Sequence, residues 1–281
     1  VKYWLNVGFL GTEQLLPVAR AAERLGYEGI ALPDHLFLPE QLESDYPYSP
    51  DGDIRWPMDA PWPDCWVAIG AMAAATDRLR FTTGVYVAPL RDVFGLGKQI
   101  ATAVGFGPGR VSCGFGAGWL REEFDVLGQA FDTRGSRFDE MLQVLPLLWS
   151  GEPVEFHGDH VDFGPLRMRP PVDRVPILIG GNTAPALRRA ARHDGWIGTY
   201  TDLDDVGRMI TELRARRETV GHDPLDVEIL LAATPGAARD ADALDDLGVD
   251  GLIVPAVALA TSSGNEDVAA GIERFAERRM R

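Results

Sequence analysis

The sequence predicts a single (β/α)8 TIM barrel spanning residues 1–281, and three observations predict it. Eight short β-rich runs recur along the 281 residues, each followed by sequence of helical period. Strict alternation of strand and helix implies parallel strands. The length and a composition of 46% hydrophobic and 25% charged residues suit one α/β barrel with a large core. A doubly wound open sheet would alternate in the same way; eight units in this length favour closure.

The strands are expected at Trp4 to Phe9, Gly29 to Pro33, Leu79 to Val87, Arg110 to Gly116, Pro176 to Gly180, Gly195 to Thr199, Asp226 to Ala232 and Asp250 to Val254. The first helix shows the pattern of the rest: Leu15, Val18, Ala19, Ala22 and Leu25 recur at three- and four-residue spacing, giving one face to pack on the sheet. Gly26 and Gly248 are placed to end the first and seventh helices, each just before a strand. Two insertions interrupt the alternation, one after strand two and one before strand five. Leu38 to Asp64 holds six prolines, seven acids, one arginine and the aromatics Tyr46, Tyr48, Trp56 and Trp62, so it is neither helix nor strand. Following strand two, it belongs to the catalytic face, either as a lid over a planar ligand or as a loop packed on the rim. Within Ser150 to Pro171, the stretch Val154 to Phe163 alternates around Gly158-Asp159 like a β-hairpin.

Composition excludes several function classes. A formal charge of -15 repels nucleic acid and anionic membranes. No run of about 18 apolar residues can span a bilayer, and Val1 to Leu10 reads as a strand without a signal-peptide charge pattern. Two cysteines, Cys65 and Cys113, offer neither a disulfide framework nor a thiolate metal site, which fits a soluble cytoplasmic protein. The five histidines make no H-E-x-x-H pattern, so no metal site is expected. Serine-hydrolase elbows and P-loops are missing as motifs. Any anionic ligand must be held by local backbone N–H groups and a few basic side chains.

Four strand-to-helix junctions could carry chemistry, all on one barrel face. Leu32-Pro33-Asp34-His35 places a histidine for acid or base work near neutrality, with Asp34 able to orient it or to cap the next segment. Gly84 and Val85, inside strand three, suggest a bulge, made for a planar group or for packing relief. Gly114-Phe115-Gly116-Ala117-Gly118-Trp119 brings backbone close to a ligand, though it lacks dinucleotide-fingerprint spacing. Ile179-Gly180-Gly181-Asn182-Thr183 precedes the helix Ala184 to Arg192 and suits a phosphate, or a plain N-cap at Asn182 or Thr183.

At these junctions the chain resembles the bacterial luciferase-like family of monooxygenases and deazaflavin-dependent reductases. The resemblance runs through Gly109-Arg110-Val111 to Gly118-Trp119-Leu120-Arg121-Glu122-Glu123-Phe124, then Arg134 to Glu140, Ile179 to Asn182, Arg188 to Arg192 and Gly195-Trp196-Ile197. Its wording is similar to the branch that uses coenzyme F420. The resemblance implies Gly84 and Val85 behind the ring of the cofactor, often at a cis peptide, and Asp34 and His35 at the reactive edge. It also implies Ala117 and Gly118 as contacts, and Gly180, Gly181, Asn182 and Thr183 as a phosphate cradle. Sugar-phosphate dehydrogenases of the family carry a glutamate where Trp119 stands here, which argues against that activity. The expected function is hydride transfer between F420 and a small organic substrate, with His35 and Asp34 catalytic and a homodimer as the assembly. The alternatives are a monooxygenase using reduced FMN and O2, or a non-catalytic flavin-binding protein. Arg121, Arg188, Arg189 and Lys98 are the cations available to the acidic tail of a deazaflavin.

Overall fold

The computed structural model describes residues 1–260 and 268–280. The chain runs β1 (Lys2–Asn6), α1 (Thr12–Leu25), β2 (Gly29–Leu32), α2 (Cys65–Ala74), β3 (Arg80–Thr83), β4 (Tyr86–Val87), α3 (Val93–Phe106), β5 (Cys113–Gly116), α4 (Arg121–Val126) and α5 (Arg134–Trp149). It continues through β6 (Val154–His157), β7 (Asp162–Leu166), β8 (Ile177–Gly180), α6 (Ala184–Ala190), β9 (Gly195–Thr199), α7 (Leu203–Thr219), β10 (Glu228–Ala232), α8 (Ala241–Asp246), β11 (Gly251–Pro255) and α9 (Val268–Arg279).

Nine of these strands form one parallel sheet in the order β3-β2-β1-β11-β10-β9-β8-β5-β4. β3 and β4 are two halves of one stave, broken at Gly84-Val85, where the peptide bond is cis. The ring closes because Phe81 of β3 bridges Val111 just before β5, with Phe81 N donating to Arg110 O at 2.7 Å and Ser112 N to Phe81 O at 2.9 Å. Above the break, Tyr86 pairs with Phe115. The structure is therefore the predicted eight-staved (β/α)8 barrel, with its two insertions where the sequence put them.

Several boundaries differ from expectation for local reasons. β1 ends at Asn6 instead of Phe9, because the Asn6 side chain accepts the Gly8 N–H at 2.7 Å and Phe9 adopts φ 68°. The fourth stave begins at Cys113, since Val111 makes only an isolated bridge. Gly26 and Gly248 sit at φ 88° and 83°, the left-handed region in which glycine ends a helix at no steric cost. β6 and β7 make the antiparallel hairpin, registered Phe156 to Phe163. Glu140 of α5 holds its turn by accepting the N–H groups of Asp159, His160 and Val161 at 2.8 to 2.9 Å.

The barrel interior is layered. At the N-terminal end Trp4 fills the axis, with the Arg80 guanidinium 5.0 Å from its ring and pinned by Glu228 at 2.8 and 3.0 Å. Gly29 and Gly251 make room for that indole: a Cβ at either would lie 2.3 or 2.9 Å from it. Ala31, Leu178, Ile197, Leu230 and Ile253 form the next layer, and Val85 packs onto them from above. Outside, α1 buries Leu15, Val18, Ala19 and Ala22 against the sheet, the face its periodicity predicts.

Candidate active site

Pro33 ends β2 by removing a backbone donor, and the next two residues turn onto the C-terminal face of the barrel. His35 is 8% exposed, and its Nδ1 lies 2.9 Å from Oε2 of Glu123, which is 1% exposed on α4. The other oxygen of Glu123 accepts the Leu36 N–H at 2.8 Å. One carboxylate thus fixes both the ring and the backbone beside it. With Nδ1–H donated to Glu123, a neutral His35 presents Nε2 as an acceptor. Asp34 has both oxygens engaged: Oδ1 accepts Arg91 Nη2 at 2.7 Å and Oδ2 accepts Val87 N at 2.9 Å. Arg91 lies 4.3 Å from the Tyr86 ring centroid and also donates to Val87 O. The Asp34 carboxylate therefore bolts the end of the second stave to the end of the third.

The floor of the mouth is Val85. Its methyls fill space that side chains on the neighbouring staves would need: a Cβ on Gly180 would meet Val85 Cγ1 at 2.3 Å, and one on Gly116 would meet Cγ2 at 2.6 Å. A Cβ on Gly84 would stand 3.3 Å from Ala31. Glycines at these positions give an uncharged floor close under whatever lies above it.

The insertion after β2 crosses this floor. Trp56 stacks on Phe9 at 5.8 Å, and Trp62 meets Phe9 edge-on at 5.1 Å and His35 at 4.7 Å. On the other side Tyr46 meets Trp119 at 5.3 Å, Trp119 stands 5.7 Å from His35, and Tyr48 brings its hydroxyl to within 3.5 Å of a Cβ position on Gly181. Phe9, Trp119 and Gly181 follow the first, fourth and fifth staves, so the insertion spans the mouth instead of lying along the rim. Glu122 fastens it, accepting the N–H groups of Glu43 and Ser44 at 2.6 and 2.9 Å and the Ser44 hydroxyl at 2.7 Å. Burial pushes the Tyr46 phenol up to about 12, which keeps it protonated among the rings. The buried indole nitrogens of Trp56 and Trp62 have no hydrogen-bond partner among the described residues.

The two glycine-rich junctions are held differently. Gly118, at φ 89°, leaves room for Val87 and Phe124, and its carbonyl accepts Arg134 Nε at 3.0 Å. Arg134 lies 3.6 Å from the Phe131 ring centroid, so this arginine shapes the junction. After β8, Gly181 takes φ 115°, donates to Ile197 O and accepts the Trp196 indole N–H at 2.8 Å. Asn182 spends its amide on the end of β9, donating to Thr199 O and accepting Thr199 N, both at 2.9 Å. Thr183 is the N-cap residue of α6, but its hydroxyl makes no capping bond. The loop is thus shaped by Gly181 and Asn182 and leaves the Thr183 hydroxyl available.

A family model described as luciferase-like monooxygenase matches residues 10–280. The chain belongs to the luciferase-like monooxygenase family. An uncharacterised Mycobacterium tuberculosis protein is 35% identical over 244 residues, covering 85% of this chain and 83% of its own. The F420-dependent glucose-6-phosphate dehydrogenase of Nakamurella multipartita is 31% identical over 226 residues, 72% of this chain and 61% of that protein. The FMNH(2)-dependent dimethylsulfone monooxygenase of Pseudomonas putida is 28% identical over 159 residues, 54% and 44% respectively. Among solved structures, an F420-dependent secondary alcohol dehydrogenase superposes with a TM-score of 0.78 at 18% identity, covering 98% of this chain and 97% of that one.

In this luciferase-like barrel the residues singled out from sequence, Asp34, His35, Gly84, Val85, Ala117, Gly118, Gly180, Gly181, Asn182 and Thr183, all lie on the C-terminal face. Three that organise them were not legible. Glu123 reads in sequence as an ordinary helix residue, and only the fold brings it to His35, 88 positions away. Arg91 is likewise 57 positions from Asp34. Arg134 lies in the stretch that resembles the family but reads as an exposed helix charge, whereas it is half-buried against Gly118 and Phe131. The one available signal was Glu122-Glu123: two adjacent acids following a glycine junction on the catalytic face.

Proposed function

We propose that this luciferase-like protein is an oxidoreductase that moves a hydride between coenzyme F420 and a small organic substrate, with His35 exchanging the accompanying proton. The observation that carries the proposal is the buried Glu123–His35 pair under an aromatic lid. A proton-transfer group needs a fixed tautomer and a site kept from water, and this pair has both. The residues present fit a planar tricyclic group. Val85 offers an uncharged floor, and the aromatic rings of the insertion stand above it.

In this proposal Gly84 and Val85 back the ring, Ala117 and Gly118 border it, and the phosphate rests on Gly180, Gly181 and the Thr183 hydroxyl. Asn182 shapes that loop through Thr199. When bound, the cofactor supplies or accepts the hydride. His35 Nε2 takes the proton of a substrate alcohol, or returns it to a carbonyl oxygen in the reverse direction. Glu123 steadies the imidazolium so formed, and Asp34, held by Arg91 and Val87, keeps the histidine turn in place. The lid shields the exchange from solvent.

A monooxygenase using reduced FMN and O2 is the second reading, favoured by the Pseudomonas relative and by the same water-excluding lid. The two separate under anaerobic conditions. Reduced deazaflavin and a panel of ketones and aldehydes should show cofactor oxidation by visible absorbance without oxygen, and His35→Ala should lower turnover by about 10²–10⁴-fold while cofactor affinity persists. Turnover that requires both FMN and oxygen would overturn the proposal.

We also propose a homodimer in the reducing cytoplasm. Val67 and Phe106 stand 71% and 55% exposed beside a groove of about 410 Å3 between α2 and α3, a face suited to a second copy. A stable monomer at micromolar concentration in sedimentation would refute the dimer. Among the described residues, no helix is long and apolar enough to cross a membrane.

A further inference from the structure

The Nδ1 edge of the His35 imidazole faces Glu123, and the rings beside it are three indoles. Trp62 stands at 4.7 Å, Trp119 at 5.7 Å and Trp56 at 6.0 Å between ring centroids. Phe9 backs Trp56 and Trp62, and Tyr46 links Trp56 at 5.0 Å to Trp119 at 5.3 Å. His35 is only 8% exposed inside this cluster. A substrate oxygen within hydrogen-bond reach of Nε2 therefore takes the place of ring contacts, and the groups one or two bonds from that oxygen must replace them. A flat apolar group does so with edge-to-face and stacked contacts of its own. A carboxylate or phosphate would give up its water there, and what it meets then depends on the nearby cations.

Those cations are already engaged. Four arginines stand in the insertion and at the junctions after β4 and β5: Arg55, Arg91, Arg121 and Arg134. Arg55 is paired with Asp51, Arg91 with Asp34 and Arg121 with Asp132. Arg134 donates to the carbonyls of Gly118 and Phe131 and lies over the Phe131 ring. The other charges of the insertion are its seven acids, all exposed. Three of the four arginines are thus neutralised by a carboxylate and the fourth is turned onto the glycine junction, so an anion beside His35 finds no counter-charge among them.

We infer that the substrate is an uncharged ketone, aldehyde or secondary alcohol with an aromatic ring next to the reacting carbon, and that Trp62 and Trp119 select it. The inference rests on the reading of His35 as the proton-exchanging group. In the carbonyl direction the substrate carbon accepts the hydride, its oxygen takes the proton from His35 Nε2, and the cofactor is left oxidised by two electrons. The substrate ring stays against the indoles throughout. Sugar phosphates and carboxylate-bearing ketones are rejected because the same place offers them rings and no free cation.

Four ketones graded in size and charge test this on the full chain: acetone, acetophenone, 4-acetylbenzoate and 4-acetyl-N,N,N-trimethylanilinium. Binding is measured calorimetrically with the protein alone and with oxidised deazaflavin or FMN present, and turnover with reduced deazaflavin is measured separately. Acetophenone should bind roughly tenfold more tightly than acetone and roughly thirtyfold more tightly than 4-acetylbenzoate. Equal or tighter binding of acetone or of the carboxylate, tighter binding of the cation, or no binding of acetophenone in any of these states overturns the substrate class. Trp62→Leu and Trp119→Leu should each weaken acetophenone and leave the carboxylate poor. Trp119→Arg sets a cation beside His35 and should improve 4-acetylbenzoate by roughly tenfold while acetophenone weakens. An acetophenone-to-acetone ratio unchanged in both leucine variants overturns the two tryptophans as selectors. Discriminating binding without turnover overturns the hydride reading and leaves the selection at His35 standing, whereas turnover without discrimination does the reverse.

Discussion

Replacing Glu123 with alanine takes away one carboxylate and strands the two donors that face it. His35 Nδ1 at 2.9 Å and the Leu36 N–H at 2.8 Å both lose their acceptor, and the 1% exposure of Glu123 leaves little room for water to substitute at the histidine. An unsatisfied buried donor costs about 1–3 kcal/mol. The histidine ring pays this in full and the half-buried Leu36 amide in part, so the loss should be about 2–4 kcal/mol. Glu123→Gln should lose only about 1 kcal/mol, because the amide oxygen still accepts from Leu36. Its NH2 group then faces Nδ1 and must donate to it, moving the His35 proton to Nε2. Urea denaturation of the three proteins measures the stabilities, and nitrogen chemical shifts of the imidazole report the tautomer. A loss below about 1 kcal/mol for the alanine variant, or an unchanged tautomer in the glutamine variant, would refute the positioning role of Glu123.

Two further perturbations follow from the floor and the lid. Gly180→Ala places a methyl 2.3 Å from Val85 Cγ1, so the variant should lose about 1–3 kcal/mol in thermal or urea unfolding, and Val85→Ala should restore part of it. Burial works to raise the Glu122 carboxyl, but the Ser44 hydroxyl and the backbone N–H groups of Glu122, Glu43 and Ser44 together hold it below its usual value. A carboxylate depressed in the folded state contributes stability above the ordinary carboxyl range, and loses it as pH falls through the depressed value. Tryptophan emission should therefore shift red below that range as the lid loosens, and Glu122→Gln should show part of the shift at neutral pH. Emission in the variant matching the native protein at every pH would contradict the lid anchor.

What the sequence made legible was whatever is local. Strand and helix periods are local, so the staves could be counted, and α1 buries the residues its spacing marks. Asp34-His35 at the end of a β run is a local juxtaposition, as is the glycine run after β8. Contacts closed by the barrel were not legible. Glu123 with His35, Arg91 with Asp34, and Glu122 with Ser44 each join residues more than fifty positions apart, and helical period gives no reason to prefer those acids over their neighbours. The break in the third stave was visible as Gly84, but its purpose was not. Val85 fills the axis only because Gly116 and Gly180, from two other staves, lack side chains beside it. Asn182 was open between phosphate ligand and helix cap; the N-cap position falls to Thr183, and the Asn182 amide ties the loop to Thr199. The aromatic insertion was open between rim and lid until Phe9, Trp119 and Gly181 fixed its two sides.

The central claim, a deazaflavin at the mouth of this luciferase-like barrel, is tested most directly by parallel titrations of the protein with coenzyme F420 and with FMN, followed by ligand fluorescence at low and moderate salt. Both molecules carry one phosphate on a ribityl chain, so the loop after β8 should serve either. The preference should come from the tail and decline with salt, since exposed ion pairs are worth about 0–1 kcal/mol each and are screened. The account predicts tighter binding of F420 at low salt, with the margin narrowing as salt rises. FMN binding more tightly under both conditions would contradict it and leave the monooxygenase reading in its place.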